Sequence, residues 1–385
     1  MKILINTNCL TKGGGQKVAM NIIREIVEHS EIYASRFQFE FLCCRNSELH
    51  KYLVRHEQRV HSITFVTPGL RILWEIFCSR RLLNRTAPDV VYSIFGYPLF
   101  AKRYLQIIGE ADSNLFFQEI DFWQDYPWHR RLFKKLIDVY RIYSMKRADG
   151  VIFENDIMRA RAIKMFNMME NRVCYIRPSI FDMPIPAALP SRKFIPEHGE
   201  FKVLMLASWQ KNKNYMIIPA VLEELKRRNV NVRFCFSVSE DFANDEYCDF
   251  RKDLEQRNVY DHIQFIGAVE MPQLPEVYNS VDAVILLSRL ESFSNNIIEA
   301  WHYQKPLIIS DCEWAHELAQ DAALFVSRDE VNSIADGIQL LSTDENLYSK
   351  LITAGNKAYS AYPVIGEHVA QILQFIESTY HAKKN

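Results

Sequence analysis

Short continuous apolar runs, each bounded by polar residues, constrain this chain more than any other feature of it. They fall at 2–10, 37–45, 89–95, 114–119, 150–154 and 173–176, and again at 202–208, 233–238, 263–269, 283–288, 306–311 and 323–327. Each is of strand length and rich in Val, Ile, Leu and Phe, and longer amphipathic segments separate them. Apolarity that does not alternate belongs to strands covered on both faces, as in a parallel sheet flanked by helices. The pattern predicts an α/β protein of two doubly wound, Rossmann-like domains facing each other across a cleft.

Proline marks the division. Pro178, Pro184, Pro186, Pro190 and Pro196 are five of the chain's 14 prolines, and proline removes the backbone donors that helices and central strands need. The expected organisation is a first domain over 1–182, a linker over 183–200 and a second domain over 201–364. A C-terminal helix over 365–380, with Val369, Ile372, Leu373 and Ile376 at helical spacing, is free to pack back on the first domain.

With 46 Lys and Arg against 47 Asp and Glu, no bulk positive field argues for nucleic acid. The eight cysteines form no C-x-x-C pair and read as reduced thiols, which points to the cytoplasm. No leader and no membrane-spanning segment is expected, and no H-x-x-x-H or H-x-x-E-H pattern suggests a metal site.

Ligands of doubly wound domains bind where strands end, so the residues after each strand carry the functional reading. After the first strand, Gly13, Gly14 and Gly15 precede a helical run. Such a turn brings backbone N–H groups to an anion, as a phosphate or acceptor loop, or is a plain flexible turn. After the run 283–288 comes Glu291-Ser-Phe293-Ser294-Asn295-Asn296-Ile-Ile-Glu299-Ala300. Ser294 is a natural N-cap, placing Asn295 first in a helix whose free N–H groups suit a diphosphate. Glu291 before that helix and Glu299 within it can bracket a polyhydroxylated ligand, since carboxylates accept from hydroxyls. The alternative is a capped surface helix with two solvated acids.

Glu291-x7-Glu299, with Phe293, Asn295 and Ala300, resembles the E-x7-E motif of retaining glycosyltransferases of the GT-B fold, family 4. Lys305-Pro306-Leu307-Ile308-Ile309-Ser310 is similar to the strand that follows it there. Ser208–Asn214 resembles the family's basic loop, and Ile263–Gly267 its base-contacting strand end. Arg71–Glu75, Ala148–Ile152 and the three glycines resemble its first-domain landmarks. The resemblance implies that Glu299 holds ribose hydroxyls, Glu291 contacts the transferred sugar, and Lys211 and Lys213 neutralise the diphosphate. Gly267, Phe293, Ser294, Asn295 and Asn296 complete the donor site it implies, with a nucleotide-diphosphate sugar as co-substrate and no metal or other cofactor.

The chain departs from that pattern in places. Gln118-Glu119-Ile120-Asp121, read as the end of a strand, stands where a His-Asp pair is common; Glu119 or Asp121 could orient an acceptor hydroxyl, or be loop acids. The basic loop lacks its usual arginine, with Trp209 or Lys211 nearby, and Ser292 replaces a common glycine.

In 128–147, Arg130, Arg131, Lys134, Lys135 and Arg141 fall on one side of a helical projection, and Leu132, Phe133, Leu136, Ile137, Val139, Tyr140 and Tyr143 on the other. This is a core-facing stripe with a solvated basic face, or an attachment to an anionic membrane surface. Together the readings imply a retaining glycosyltransferase acting on a glycan or lipid-linked acceptor. Its expected place is lipopolysaccharide, capsule or other cell-surface polysaccharide synthesis, cytoplasmic or peripheral on the membrane's inner face. A nucleotide-sugar epimerase and a non-catalytic nucleotide-sugar-binding subunit are the competing readings.

Overall fold

The structure is a computed structural model that describes residues 1–11, 13–64, 68–99, 101, 103–124, 126–180, 183–184, 199–241 and 243–384. The chain divides into two compact units. One comprises Met1–Glu119, Tyr126–Phe181 and Pro363–Asn385, the other Ile120–Asp125 and Asp182–Tyr362. Most of the expected linker, 185–198, lies outside the described residues.

The first unit is built on β1 (Lys2–Thr7), β2 (Gln38–Cys44), β3 (Val60–Ile63), β4 (Val90–Ser93), β5 (Leu105–Glu110), β6 (Gly150–Phe153) and β7 (Val173–Tyr175). Among the described residues these make a seven-stranded sheet in the order β3-β2-β1-β4-β5-β6-β7, and every pairing is parallel. The second unit uses β8 (Phe201–Met205), β9 (Val232–Phe236), β10 (Ile263–Phe265), β11 (Ala283–Leu286), β12 (Leu307–Ser310) and β13 (Leu324–Val326). Its six parallel strands run β10-β9-β8-β11-β12-β13. Both are the doubly wound sheets that the apolar runs predict. In each, the winding reverses beside the first strand, between β1 and β4 and between β8 and β11. Those switch points open a crevice at the carboxyl ends of the strands.

One predicted strand is overturned. Ser113–Leu115 is a turn of 3₁₀ helix, not part of a strand over 114–119. Leu115, Phe116 and Phe117 are buried as a core plug, with the Phe116 ring edge-on to Phe153 at 5.4 Å and to Phe166 at 5.8 Å. The central strand there is β5, whose buried Gln106 and Glu110 interrupt its apolar character. The Gln106 carboxamide is satisfied by the Leu99 backbone, accepting from its N–H at 2.6 Å and donating to its carbonyl at 2.6 Å. Residues 118–121 therefore lie in a turn and do not end a strand.

The helix Ile365–Lys384 buries Val369, Ile372, Leu373 and Ile376 in the first unit's core beside Ile22, Ile23 and Ile26. It is fixed by Tyr380 Oη donating to Asp89 Oδ1 at 3.0 Å and by His368 Nδ1 at 2.9 Å from the Arg177 carbonyl.

The apolar side of the helix Trp128–Arg147 is only partly a core stripe: Ile137 and Tyr140 are half-buried, whereas Leu132, Phe133, Leu136, Val139 and Tyr143 are 55%, 63%, 60%, 65% and 57% exposed. Arg141 also leaves the outer basic face, because it pairs with Asp112 at 3.3 Å and with Asp138 at 3.2 Å.

Candidate functional site

The loops that follow β8 and β11 meet at the second unit's switch point. The first, from Leu206, closes in a 3₁₀ turn at Lys211–Lys213. The second runs to the helix Asn295–His302. Asn212 joins them as a backbone mimic, its Nδ2 donating to the Leu290 carbonyl at 2.9 Å and its Oδ1 accepting from Leu290 N–H at 3.2 Å. The Arg289 N–H adds a bond to the Asn212 carbonyl at 2.8 Å. Asn296 Nδ2 donates back to the Leu206 carbonyl at 2.7 Å. The two loops are thereby held in one register.

In that frame Lys213 Nζ stands 2.5 Å from Glu291 Oε1, with both side chains largely sheltered. Lys211 begins the same turn. It lines a cleft of 590 Å³ together with Asp241, Asn244, Asp245, Glu246 and Asp249, an acidic wall that suits a diphosphate poorly. Trp209 is no substitute for a cation either, because its ring packs into an aromatic core cluster, 5.0 Å from Tyr215 and 5.3 Å from Phe236.

Ser294 occupies the N-cap position and Asn295 begins the helix, yet the Ser294 hydroxyl makes no capping bond. Nothing from the cap side chain competes for the first-turn N–H groups, which carry the positive end of the helix dipole. Glu299 is buried in the same helix. Tyr278 Oη donates to Glu299 Oε2 at 3.0 Å, and Tyr278 in turn stacks on Tyr303 with centroids 4.6 Å apart. Burial, followed by the Glu299 charge, pushes the Tyr278 phenol far above its ordinary value, so it remains a donor. Phe293 lies 6.1 Å from Tyr362. Gly267, just past β10, has φ of 73°, where a side chain would strain the backbone.

Tyr278 and Asn212 were not among the site candidates. Tyr278 lies 21 residues from the carboxylate it holds, and no local motif announces it. Asn212 sits between the two lysines of the basic loop, and only its pairing across 78 residues reveals its role.

In the first unit, Gly13 takes φ of 79° at the start of the helix Gly14–Glu28, at the β1 end of the switch point; a Cβ on Gly13 or Gly14 would meet nothing within 4 Å. Gly15 is more closely packed, with Leu10 Cδ2 at 3.2 Å from such a Cβ. Glu119 is held by Arg161 Nη1 at 2.7 and 2.9 Å, and Gln118 is exposed. Asp121 Oδ1 accepts from the Trp123 N–H at 3.2 Å as part of a local turn. Among the described residues, no three His, Cys, Asp or Glu side chains are grouped to hold a metal ion, and no helix is long and apolar enough to cross a membrane.

Residues 190–358 match the family described as glycosyl transferases group 1. No curated protein matches the chain. Its fold is shared along nearly its whole length with solved structures of low sequence identity. Sucrose-phosphate synthase of Thermosynechococcus elongatus is 14% identical at a TM-score of 0.74, with 99% of this chain and 100% of that one covered. HepE of Anabaena, solved with UDP and glucose, is 14% identical at 0.69, with 98% and 100% covered. The lipopolysaccharide outer core galactosyltransferase WaaB is 16% identical at 0.67, with 98% and 99% covered. The family match lies in the second unit, and the two-sheet frame is that of the GT-B fold shared with these solved structures.

Proposed function

We propose that the protein is a retaining glycosyltransferase, of the family 4 kind, that moves a sugar from a nucleotide-diphosphate donor to a hydroxyl of a glycan or lipid-linked acceptor. Cell-surface polysaccharide synthesis is the setting that suits such acceptors. The observation that carries this reading is the Lys213–Glu291 pair at 2.5 Å, beside the start of the helix that carries Glu299 and at the switch point between β8 and β11.

The roles follow from the chemistry of each group. Glu299, oriented by Tyr278, accepts from ribose hydroxyls. Lys213 has three donors, so it can keep Glu291 and still reach a phosphate oxygen. With the first-turn amides of the helix it stabilises the charge that grows on the leaving nucleoside diphosphate. That cationic provision lets transfer proceed without a metal ion. Glu291 contacts the sugar's hydroxyls on the side where the bond breaks. The leaving phosphate itself takes the acceptor's proton as the new bond forms on the same face. Glu119, held by Arg161, keeps lone pairs with which to orient an acceptor hydroxyl.

A uridine donor is the first to try, because HepE of Anabaena was solved with UDP-glucose. Proton NMR of a reaction with a UDP-sugar and a glycan acceptor reads the outcome. A new linkage of the donor's anomeric configuration supports the proposal. An isomerised donor would make the protein an epimerase, and nucleotide-sugar binding without turnover a non-catalytic partner.

A further inference from the structure

The first unit carries an exposed apolar face. Leu132, Leu136, Val139 and Tyr143 recur at intervals of four, three and four along Trp128–Arg147 and form one stripe. The stripe points to solvent, with Phe133 beside it and Trp128 at its head, 77% exposed. Only Ser144 and Met145 of this helix are buried. In the same unit the helix Pro68–Phe77 also exposes Leu73 and Phe77, at 51% and 75%. Contiguous exposed apolar surface of this kind marks an interaction site.

Charge decides what covers it. Segments 68–86 and 128–147 carry 11 Lys and Arg against two acids, Glu75 and Asp138, whereas the rest of the chain carries 35 against 45. Glu75 is buried and Asp138 is bonded to Arg141, so neither offsets the outer cations. Arg80, Arg81, Arg85, Arg130, Lys135 and Lys146 are all exposed. A second copy docked on this face would bring two such sets of cations together. An apolar stripe flanked by cations instead fits the boundary of an anionic bilayer, with side chains among the acyl chains and Lys and Arg at the headgroups.

We propose that the first unit docks on an anionic lipid surface through the helices Pro68–Phe77, Ser79–Thr86 and Trp128–Arg147. This deepens the proposed function by naming the surface on which a lipid-borne acceptor would be met, but the docking itself does not depend on the donor site.

The test is co-sedimentation with vesicles of phosphatidylglycerol and phosphatidylcholine and with vesicles of phosphatidylcholine alone, at low salt and at 1 M salt. Wild-type protein should bind the anionic vesicles at least about tenfold better and be released at high salt. The variants F133S/L136S and R130E/K135E, all at exposed positions, should each weaken binding about tenfold or more. Their melting temperatures and UDP affinity by calorimetry should stay at the wild-type values. Wild-type protein that remains in the supernatant with anionic vesicles at low salt overturns the proposal, as does binding indifferent to both variants. So does a concentration-dependent dimer in sedimentation equilibrium that F133S/L136S abolishes. Loss of vesicle binding with UDP binding intact leaves the transferase reading standing. Vesicle binding with no nucleotide bound would sink that reading and leave the docking.

Discussion

Tyr278 Oη donates to Oε2 of Glu299 at 3.0 Å, and both residues are buried. A buried carboxylate needs its hydrogen bonds satisfied. The phenol therefore both keeps Glu299 inside the second unit and sets its direction.

Tyr278→Phe should lower stability by about 1.5–3 kcal/mol, the range for losing a hydrogen bond to a charged group. It should also weaken nucleoside diphosphate binding by about tenfold, as the carboxylate loses its orientation. Thermal melts and calorimetry check the two effects separately. A variant of wild-type affinity would mean that Tyr278 serves packing alone.

Glu291→Gln separates the two jobs of the Lys213–Glu291 pair. The substitution removes the anion that holds Lys213, so free nucleoside diphosphate should bind as tightly as before or more tightly. Transfer should fall about a hundredfold, in the range for removing one stabilising contact at a developing charge. Steady-state kinetics beside calorimetry reads both. Parallel losses of binding and transfer would contradict this division.

How far the sequence could reveal these relationships depends on what surrounds each element. β4, β6, β11 and β12 are buried at every position, and such strands read as unbroken apolar runs. β3 is an edge strand whose four residues are all half-exposed, so no run marks it. β5 is central but carries Gln106 and Glu110 inward, a choice that makes sense only with the Leu99 and Asp112 backbones in view. Leu115, Phe116 and Phe117 have the apolarity of a strand for a different reason, as a plug against Phe153 and Phe166. At the candidate site, the spacing of Glu291 and Glu299 was legible because one loop and one helix carry both. The roles of Tyr278 and Asn212 and the acidic neighbours of Lys211 come from contacts between distant segments, which spacing does not encode.

Gly355→Ala tests how the helix carrying Glu299 is seated. A Cβ at Gly355 would lie 2.5 Å from Trp301 Cδ1, and Trp301 is buried. Alanine favours a helix by about 1 kcal/mol over glycine, but overpacking a filled core costs about 1–3 kcal/mol. The expected result is a lower melting temperature together with weaker nucleotide binding, because Trp301 and Glu299 share one helix. A rise in melting temperature would show that the core yields there.

Stability should fall as pH rises from about 4.5 to 8 through two carboxyls of the first unit. Burial, and for Glu110 also the neighbouring Asp112 charge, pushes Glu110 and Glu154 up to about 8 from an ordinary value of 4.5. Over that window the folded protein keeps protons that the unfolded chain has released, so stability is full below it and lost through it. Glu154→Gln should flatten the melting temperature against pH and raise it most at pH 8.5 to 9. Curves that stay parallel from pH 5 to 9 would show that Glu154 titrates normally.

The central claim is that the loops after β8 and β11 form a nucleoside diphosphate site, and calorimetric titration tests it most directly. UDP, GDP and ADP are each titrated into the wild-type protein and into folded Lys213→Ala and Glu299→Ala variants. One nucleotide should bind the wild type and lose about tenfold or more in affinity in each variant, as expected for charge-assisted bonds of about 1.5–3 kcal/mol. Binding of none of the three, or binding untouched by both substitutions, would contradict the account.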